Sequence, residues 1–162
     1  MDATEKNEII HRIITRVNLG LYFIENTYLG QHGSPDVAYI RNIYILLSFY
    51  TELLLKALFI SNSIFINTEH LDQELRILGH NMQKIGAGIG KDRLRSFGIN
   101  KIELINKTYH FETNVGNFYV LDFIDIRYDF LDGSVRILKG NEHVMFGKQI
   151  ALMRDILNRL KV

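Results

Sequence analysis

Apolar residues follow one another with few interruptions over residues 37–60, VAYIRNIYILLSFYTELLLKALFI. A helix that is apolar on all sides is normally buried at the centre of a protein. At about 100° per residue, the polar residues Arg41, Ser48, Glu52 and Lys56 fall within roughly 80° of one another. The pattern therefore predicts a central helix with one narrow polar stripe, and the charges in that stripe require partners.

The segments on either side of this stretch predict two long helices joined by a short loop. An Asp2-x-x-Glu5 capping box precedes a periodic apolar segment that we expect to end near Gly30. Ser34, followed by proline, is a natural N-cap for the central helix, which should continue to about Ser63. Two long helices with a short connection are expected to pack as antiparallel neighbours.

The rest of the chain predicts shorter and longer helices in turn. Apolar periodicity and capping residues place them over residues 69–78, capped by Asn67 and Thr68, over 80–94, beginning at His80 and Asn81, over 117–131, and over 141–160, beginning at Asn141. Residues 97–116 are predicted as mostly loop, with 101–105 either a short helix or a strand, and 134–140 as a short extended segment.

These elements predict an all-α fold. We expect an up-and-down bundle of four long helices with one or two short ones, in a single domain over residues 1–162. The glycine-rich GAGIGKD segment does not make a phosphate loop, because Ile85 stands where the first glycine is required and Asp92 where Ser or Thr is required. A flexible or kinked helix is the simpler interpretation of those glycines.

Composition excludes several classes of protein. The 162 residues are 47% hydrophobic with a net charge of +1 and no cysteine, which predicts a folded core without disulfides or thiolate metal sites. The six histidines show no HxxxH or HxxE spacing, so we expect no metal and no cofactor. Glu52 and Lys56 interrupt the best membrane-spanning window at about 2.5–3.5 kcal/mol each. We therefore predict a soluble, cytoplasmic protein that does not cross a membrane.

Arg127 is the residue that we expect to face the polar stripe. On a helix over 117–131 it lies on the apolar side, where an arginine needs an acidic partner, and Glu52 is available with Lys56 and Ser48 nearby. The simpler interpretation is a buried ion pair that fixes helix packing, and the alternative is a cleft that binds an anion such as phosphate. His80, at a helix start, is more readily explained as a capping residue than as a general base.

Three segments resemble the HEPN domain family. They are ELLLKA at 52–57, GHNM at 79–82 and IRY at 126–128, against family patterns E-L-x-L-K, G-H-[DN]-L and R-Y. The resemblance covers residues 34 to about 131. It implies an all-α bundle that is commonly dimeric, in a family of metal-independent ribonucleases, toxins paired with nucleotidyltransferase-like antitoxins, and non-catalytic binders of nucleotides or nucleic acids.

One part of the family pattern is absent. Catalytic members carry R-x4-6-H, and here the corresponding window after Arg127 holds Asp132, Gly133 and Ser134 without a histidine. RNA cleavage without metal needs a proton acceptor and a donor near neutral pH, a role that suits histidine. We therefore expect a non-catalytic, homodimeric HEPN-like module that binds an anionic ligand, a nucleotide or RNA, or a partner protein.

Two alternatives stay open. The first is a metal-independent ribonuclease of a toxin–antitoxin or defence system, with Arg127 and His80 as catalytic residues and a nucleotidyltransferase-like antitoxin as partner. The second is a purely structural or assembly bundle. The residues expected to line the polar cleft are Glu52, Lys56, Ser48, Asn81 and Tyr128.

Overall fold

The computed structural model describes the backbone of residues 1–29, 37–122 and 142–160, and the side chains of 1–27, 40–122 and 144–160. Over these ranges the chain is predominantly helical and carries a three-stranded antiparallel sheet. The elements in chain order are α1 (Ala3–Ile24, continued by a π-helical turn, Glu25–Leu29), α2 (Val37–Asn62), α3 (Thr68–Leu78), α4 (Met82–Ile89), α5 (Lys91–Ser96), β1 (Ile99–Ile105), β2 (Thr108–Thr113), β3 (Gly116–Leu121) and α6 (Glu142–Leu160).

The first helix begins as predicted. The Asp2 carboxylate accepts a hydrogen bond from the Glu5 amide at 2.8 Å, and the Glu5 carboxylate accepts one from the Asp2 amide at 3.0 Å, which confirms the capping box. The buried face of α1 packs on α2, and Gly20 permits a very close approach there. A Cβ atom at Gly20 would lie 2.1 Å from Cζ of Tyr50, so the tyrosine ring occupies the space that a side chain would need.

The second helix is central, as its apolar pattern predicts. It contacts α1, α4, α6 and β3, and its buried apolar residues belong to one core cluster with those of the neighbouring elements. Thr51 in α2 accepts a hydrogen bond from the buried Gln149 amide of α6 at 3.2 Å. By length and composition residues 40–62 also resemble a membrane span, and 67% of the apolar window is buried inside the protein.

The sheet corrects the predicted fold class. Residues 97–116, predicted as mostly loop with either a short helix or a strand at 101–105, contain β1 and β2. Residues 117–121, predicted as the start of a helix, lie in β3. The physical reason is that side chains alternate between the two faces of a strand: Phe118 and Val120 are buried, while Asn117 is exposed. Phe111 of β2 pairs with Phe118 of β3 in the sheet. The predominance of helix is confirmed, whereas the strictly all-α bundle is wrong.

The short helices follow their predicted caps. The Asn67 side chain accepts from the His70 amide at the start of α3, and the predicted helix over 80–94 is divided at Gly90, whose φ of 92° stops α4 before α5 begins. Gln83 of α4 also accepts a hydrogen bond at 3.0 Å from the amide of Leu104, in the edge strand β1. The last helix is confirmed as α6. Outside the described residues lie the predicted caps Ser34 and Asn141 and the rest of the helix predicted over 117–131.

Candidate functional site

A buried carboxylate on α2 is the centre of the candidate site. Glu52 is only 4% exposed, and its Oε1 atom accepts a hydrogen bond from Lys56 Nζ at 2.7 Å. His80 Nδ1 lies 3.0 Å from Oε1 and 3.1 Å from Oε2 of the same carboxylate. Because an ionised carboxylate only accepts hydrogen bonds, Nδ1 carries the hydrogen in this contact. Glu52, Lys56 and His80 form what we call the Glu52 cluster.

Local structure positions each member of the cluster. Lys56 lies one helical turn after Glu52, the spacing at which a glutamate and a following lysine meet. Gly79, with a φ of 59°, ends α3 and turns the chain so that His80 stands between two helices. The carbonyl of His80 accepts a hydrogen bond from the Tyr109 hydroxyl at 3.4 Å, which ties this turn to β2.

Exposure increases from the carboxylate to the imidazole. The side chains of Glu52, Lys56 and His80 are 6%, 16% and 52% exposed, respectively. Within the described part of the chain, no residue forms a hydrogen bond with Nε2 of His80. The arrangement therefore presents one ring nitrogen to solvent while the other is held by a buried acid. A neutral ring held in this way offers a proton acceptor, and a protonated ring offers a cationic donor.

Ser48 and Asn81, which were predicted to line the cleft, have hydrogen bonds elsewhere. The buried Ser48 hydroxyl donates to the Leu121 carbonyl at 2.7 Å and joins α2 to the end of β3. The Asn81 side chain accepts from the Lys84 amide at 3.0 Å and caps α4. The capping role considered for the His80 ring thus belongs to its neighbour Asn81, and the ring contacts Glu52 instead.

Arg127 and Tyr128 lie outside the described residues, so the predicted pairing of Arg127 with Glu52 stays a prediction. The described contacts show that Glu52 already has Lys56 and His80 as partners. The sequence indicated the Glu52–Lys56 pair through its spacing, but the 28-residue separation of Glu52 and His80 gave no such signal. Only the buried acid in α2 indicated that a partner of this kind was needed.

Comparisons with protein-family models, with characterised proteins and with solved structures give no match to this chain. The HEPN resemblance consequently depends on the three short sequence segments. Two of these, ELLLKA and GHNM, supply the residues of the Glu52 cluster.

Proposed function

We propose that this chain is a HEPN-like helical module that binds a phosphate-bearing anion, a nucleotide or RNA, at the Glu52 cluster. The observation that carries the proposal is the half-exposed His80 ring, hydrogen-bonded to a buried carboxylate that also accepts from Lys56. The contacts around Glu52 favour a site over a purely structural ion pair, because a packing role does not require the His80 ring to face solvent.

Electrostatics and geometry both favour an anion. With His80 protonated, the cluster holds two cations against one carboxylate, which leaves an excess positive charge at the exposed ring. Charge-assisted hydrogen bonds from such a donor to phosphate oxygens are stronger than neutral ones. Since Glu52 already fixes the ring, less side-chain freedom is lost when a ligand binds.

The proposal includes the family's helical core and its assembly. In it, α1, α2 and α6 provide three long helices of a HEPN-like bundle, and the sheet over 99–121 is an addition to that bundle. The module is proposed to be cytoplasmic and homodimeric. If the chain is the toxin of a toxin–antitoxin pair, its partner is a nucleotidyltransferase-like antitoxin.

Binding measurements test the proposed site. Isothermal titration of the full chain with mononucleotides and a short RNA should show binding that weakens at least about tenfold, or 1.4 kcal/mol, in His80→Ala, because the solvent-facing donor is lost. Glu52→Gln should weaken binding as well, since the ring is no longer held by an anion.

His70→Ala is the matched control, because His70 of α3 also faces a glutamate, with Nε2 of His70 3.8 Å from Oε1 of Glu74, and it lies outside the Glu52 cluster. It should bind like the wild type. Absence of binding by the wild type, or equal losses in His70→Ala and His80→Ala, would contradict the proposal.

A metal-independent ribonuclease is the second candidate. The specific observation is that Glu52 holds Nδ1–H of His80 and leaves Nε2 free among the described residues to accept a proton, an arrangement that serves general-base catalysis. In this reading Arg127 stabilises the phosphate. Cleavage of RNA in the presence of EDTA should then fall at least about 10²-fold in His80→Ala and in Arg127→Ala but not in His70→Ala. Binding of RNA without its cleavage would contradict the ribonuclease and support the non-catalytic binding module.

A further inference from the structure

A groove runs along the outer side of the first helix, and we call it the α1 groove. Its volume is about 610 Å³, and it lies between α1 and the ring of Tyr50 from α2. Small-molecule sites in proteins have volumes of roughly 300–1,000 Å³. The α1 groove is therefore large enough for a small ligand, and the residues that line it indicate which kind.

One end of the α1 groove is basic. Arg12 and Arg16 line it one helical turn apart, a spacing at which two like charges destabilise a helix. Glu8 balances the first arginine, because its Oε2 atom lies 3.5 Å from Nη2 of Arg12. Within the part of the chain that the structure describes, Arg16 forms neither a hydrogen bond nor an ion pair. Two arginines less one glutamate leave a charge of +1, to which His11 of the same groove adds only when it is protonated.

The other end of the α1 groove is apolar. Leu19 is 66% exposed and Phe23 is 51% exposed, although both are large apolar side chains. At about 100° per residue, four residues of the groove fall within roughly 60° of one another on the helix: Arg12, Arg16, Leu19 and Phe23. They extend along the helix axis for about 16 Å, at 1.5 Å per residue. The basic end and the apolar end thus form one continuous line on α1.

Tyr50 forms a side of the α1 groove and brings a polar atom into it. A Cβ atom at Gly20 would lie 2.1 Å from Cζ of the Tyr50 ring, closer than to its other atoms, so the end of the ring that carries the hydroxyl rests on α1. Gly20 follows Arg16 by one helical turn. Among the described residues, none forms a hydrogen bond with the Tyr50 hydroxyl. The ring therefore offers an apolar face and a hydrogen-bond donor in the same groove as the unpaired arginine.

These features favour a small amphiphile with one negative charge over a protein partner. Stable protein interfaces contain about 20–30 residues on each side, whereas eight described residues line the α1 groove. A charge of +1 matches a single carboxylate, both oxygens of which an arginine can bind with its planar fork. The apolar side chains lie in a single line, which suits one acyl chain better than the two chains of a phospholipid.

We propose that the α1 groove binds a fatty acid, with the carboxylate at Arg16 and the acyl chain along Leu19 and Phe23. Arg16 donates hydrogen bonds to the carboxylate oxygens, and the Tyr50 hydroxyl is a further donor. Two residues separate Tyr50 from Glu52, so at about 100° per residue they lie on nearly opposite sides of α2. The fatty-acid site is therefore distinct from the Glu52 cluster, and the proposal does not depend on the proposed function.

Isothermal titration of the full chain with decanoate, below the concentration at which decanoate forms micelles, tests the proposal. Acetate is the probe for the carboxylate alone, and decyltrimethylammonium carries the same chain with the opposite charge. The variants are Arg16→Gln and Leu19→Ser, both at exposed positions, and circular dichroism checks that each is folded. The control for the first is Arg95→Gln, at an exposed arginine of α5. The control for the second is Ile77→Ser, because Ile77 on α3 is 67% exposed and Leu19 on α1 is 66% exposed.

The wild type should bind decanoate, and it should bind acetate and decyltrimethylammonium at least about tenfold more weakly, because each lacks one half of the ligand. Arg16→Gln should weaken the binding of decanoate about tenfold, since a charge-assisted hydrogen bond is lost. Leu19→Ser should weaken it several-fold, and both controls should stay within about twofold of the wild type. In a series of saturated acids, each added methylene should tighten binding by up to about fourfold, the value for a fully buried group.

Several results would overturn the inference. No binding of decanoate by the wild type would do so, as would equal losses in a variant and its control. Binding of decyltrimethylammonium as tight as that of decanoate would show an apolar surface without selection for a carboxylate. An acidic amphipathic peptide that binds through Arg16 where decanoate does not would identify a protein partner instead.

The same titrations separate this inference from the proposed function. Decanoate binding that is lost in His80→Ala but kept in Arg16→Gln would assign the fatty acid to the Glu52 cluster and overturn the site on α1. Decanoate binding that depends on Arg16, in a protein that binds no nucleotide or RNA, would support the fatty-acid site and contradict the proposed function.

Discussion

At the scale of single residues, the contact of Lys101 with Glu103 changes the pKa of the lysine. Its ammonium group lies 2.9 Å from the Glu103 carboxylate on the same face of β1, and hydrogen bonding and charge attraction from Glu103 raise the pKa of Lys101 above 10.5. Glu112, opposite in β2, raises it to a smaller extent. Any stabilisation from this contact is present below pH 10.5 and is lost as the pH rises through the higher pKa of the folded state.

Glu103→Gln should therefore lower the pKa of Lys101 towards 10.5. The measurement is an NMR titration of the lysine Cε and Hε signals between pH 9 and pH 12, which follows the ammonium group directly. Glu112→Gln is the control and should lower the pKa less, because Glu112 acts through charge alone. A larger effect of Glu112→Gln would show that the hydrogen bond from Lys101 to Glu103 is not the main cause.

The identities of the site residues were easier to predict than the contacts between them. Glu52 and Lys56 were expected to interact because their spacing within one helix brings them together. His80 was selected as a candidate, but its contact with Glu52 depends on how α4 packs against α2, which local patterns do not encode. Ser48 was predicted to line the cleft, but its hydroxyl donates to the Leu121 carbonyl of a strand that was predicted to be helical.

At the scale of elements, the crossing of α1 and α2 depends on Gly20. An alanine there places Cβ within 2.1–2.5 Å of the Tyr50 ring, so the ring or the helices must move. Gly20→Ala should lower the free energy of unfolding by about 1–3 kcal/mol, as overpacked sites do. Chemical denaturation followed by circular dichroism measures the change.

Gly147→Ala is the control for this substitution, because nothing lies within 4 Å of a Cβ atom in that position of α6. It should stabilise the protein by up to about 1 kcal/mol, since alanine favours a helix more than glycine does. Tyr50→Ala combined with Gly20→Ala should remove the clash, although it loses ring contacts. An unchanged stability of Gly20→Ala would show that Tyr50 moves aside without cost.

The long helices were predictable and the sheet was not, for a physical reason. In α1 the apolar periodicity extends over many turns, so only a helix satisfies it, and the apolar run of α2 is too long for a strand. The strands β2 and β3 have six residues each, and short apolar runs such as FYVL suit a strand and a helix equally. The turn at Asn106 and Lys107, with φ values of 48° and 63°, lacks the glycine that usually marks a two-residue hairpin.

At the scale of the whole molecule, the predicted single domain has a direct test. Phe118 of β3 is 2% exposed and belongs to the same core cluster as residues of α1, α2 and α6. Phe118→Ala should therefore cost about 3–5 kcal/mol and destabilise helices and sheet together. Far-ultraviolet circular dichroism and tyrosine fluorescence during urea unfolding should give coincident transitions.

Ile64→Ala is the control at this scale, because Ile64 is 95% exposed, and its substitution should change stability by less than about 0.5 kcal/mol. Separate transitions by the two probes in the wild type would indicate that the sheet unfolds independently of the helices. That result would contradict a single cooperative domain.

The hydrogen bond from the Leu104 amide to Gln83 also bears on self-association. The edge strand of a sheet exposes backbone groups to which a strand from another molecule can add, with aggregation as the result. In β1 one of these groups is already occupied by a side chain of α4, and Lys101 and Glu103 place charges along the same strand. An added strand would have to displace the glutamine and bring its own residues next to those charges. Helix α4 thus occupies part of the sheet edge to which such a strand would add.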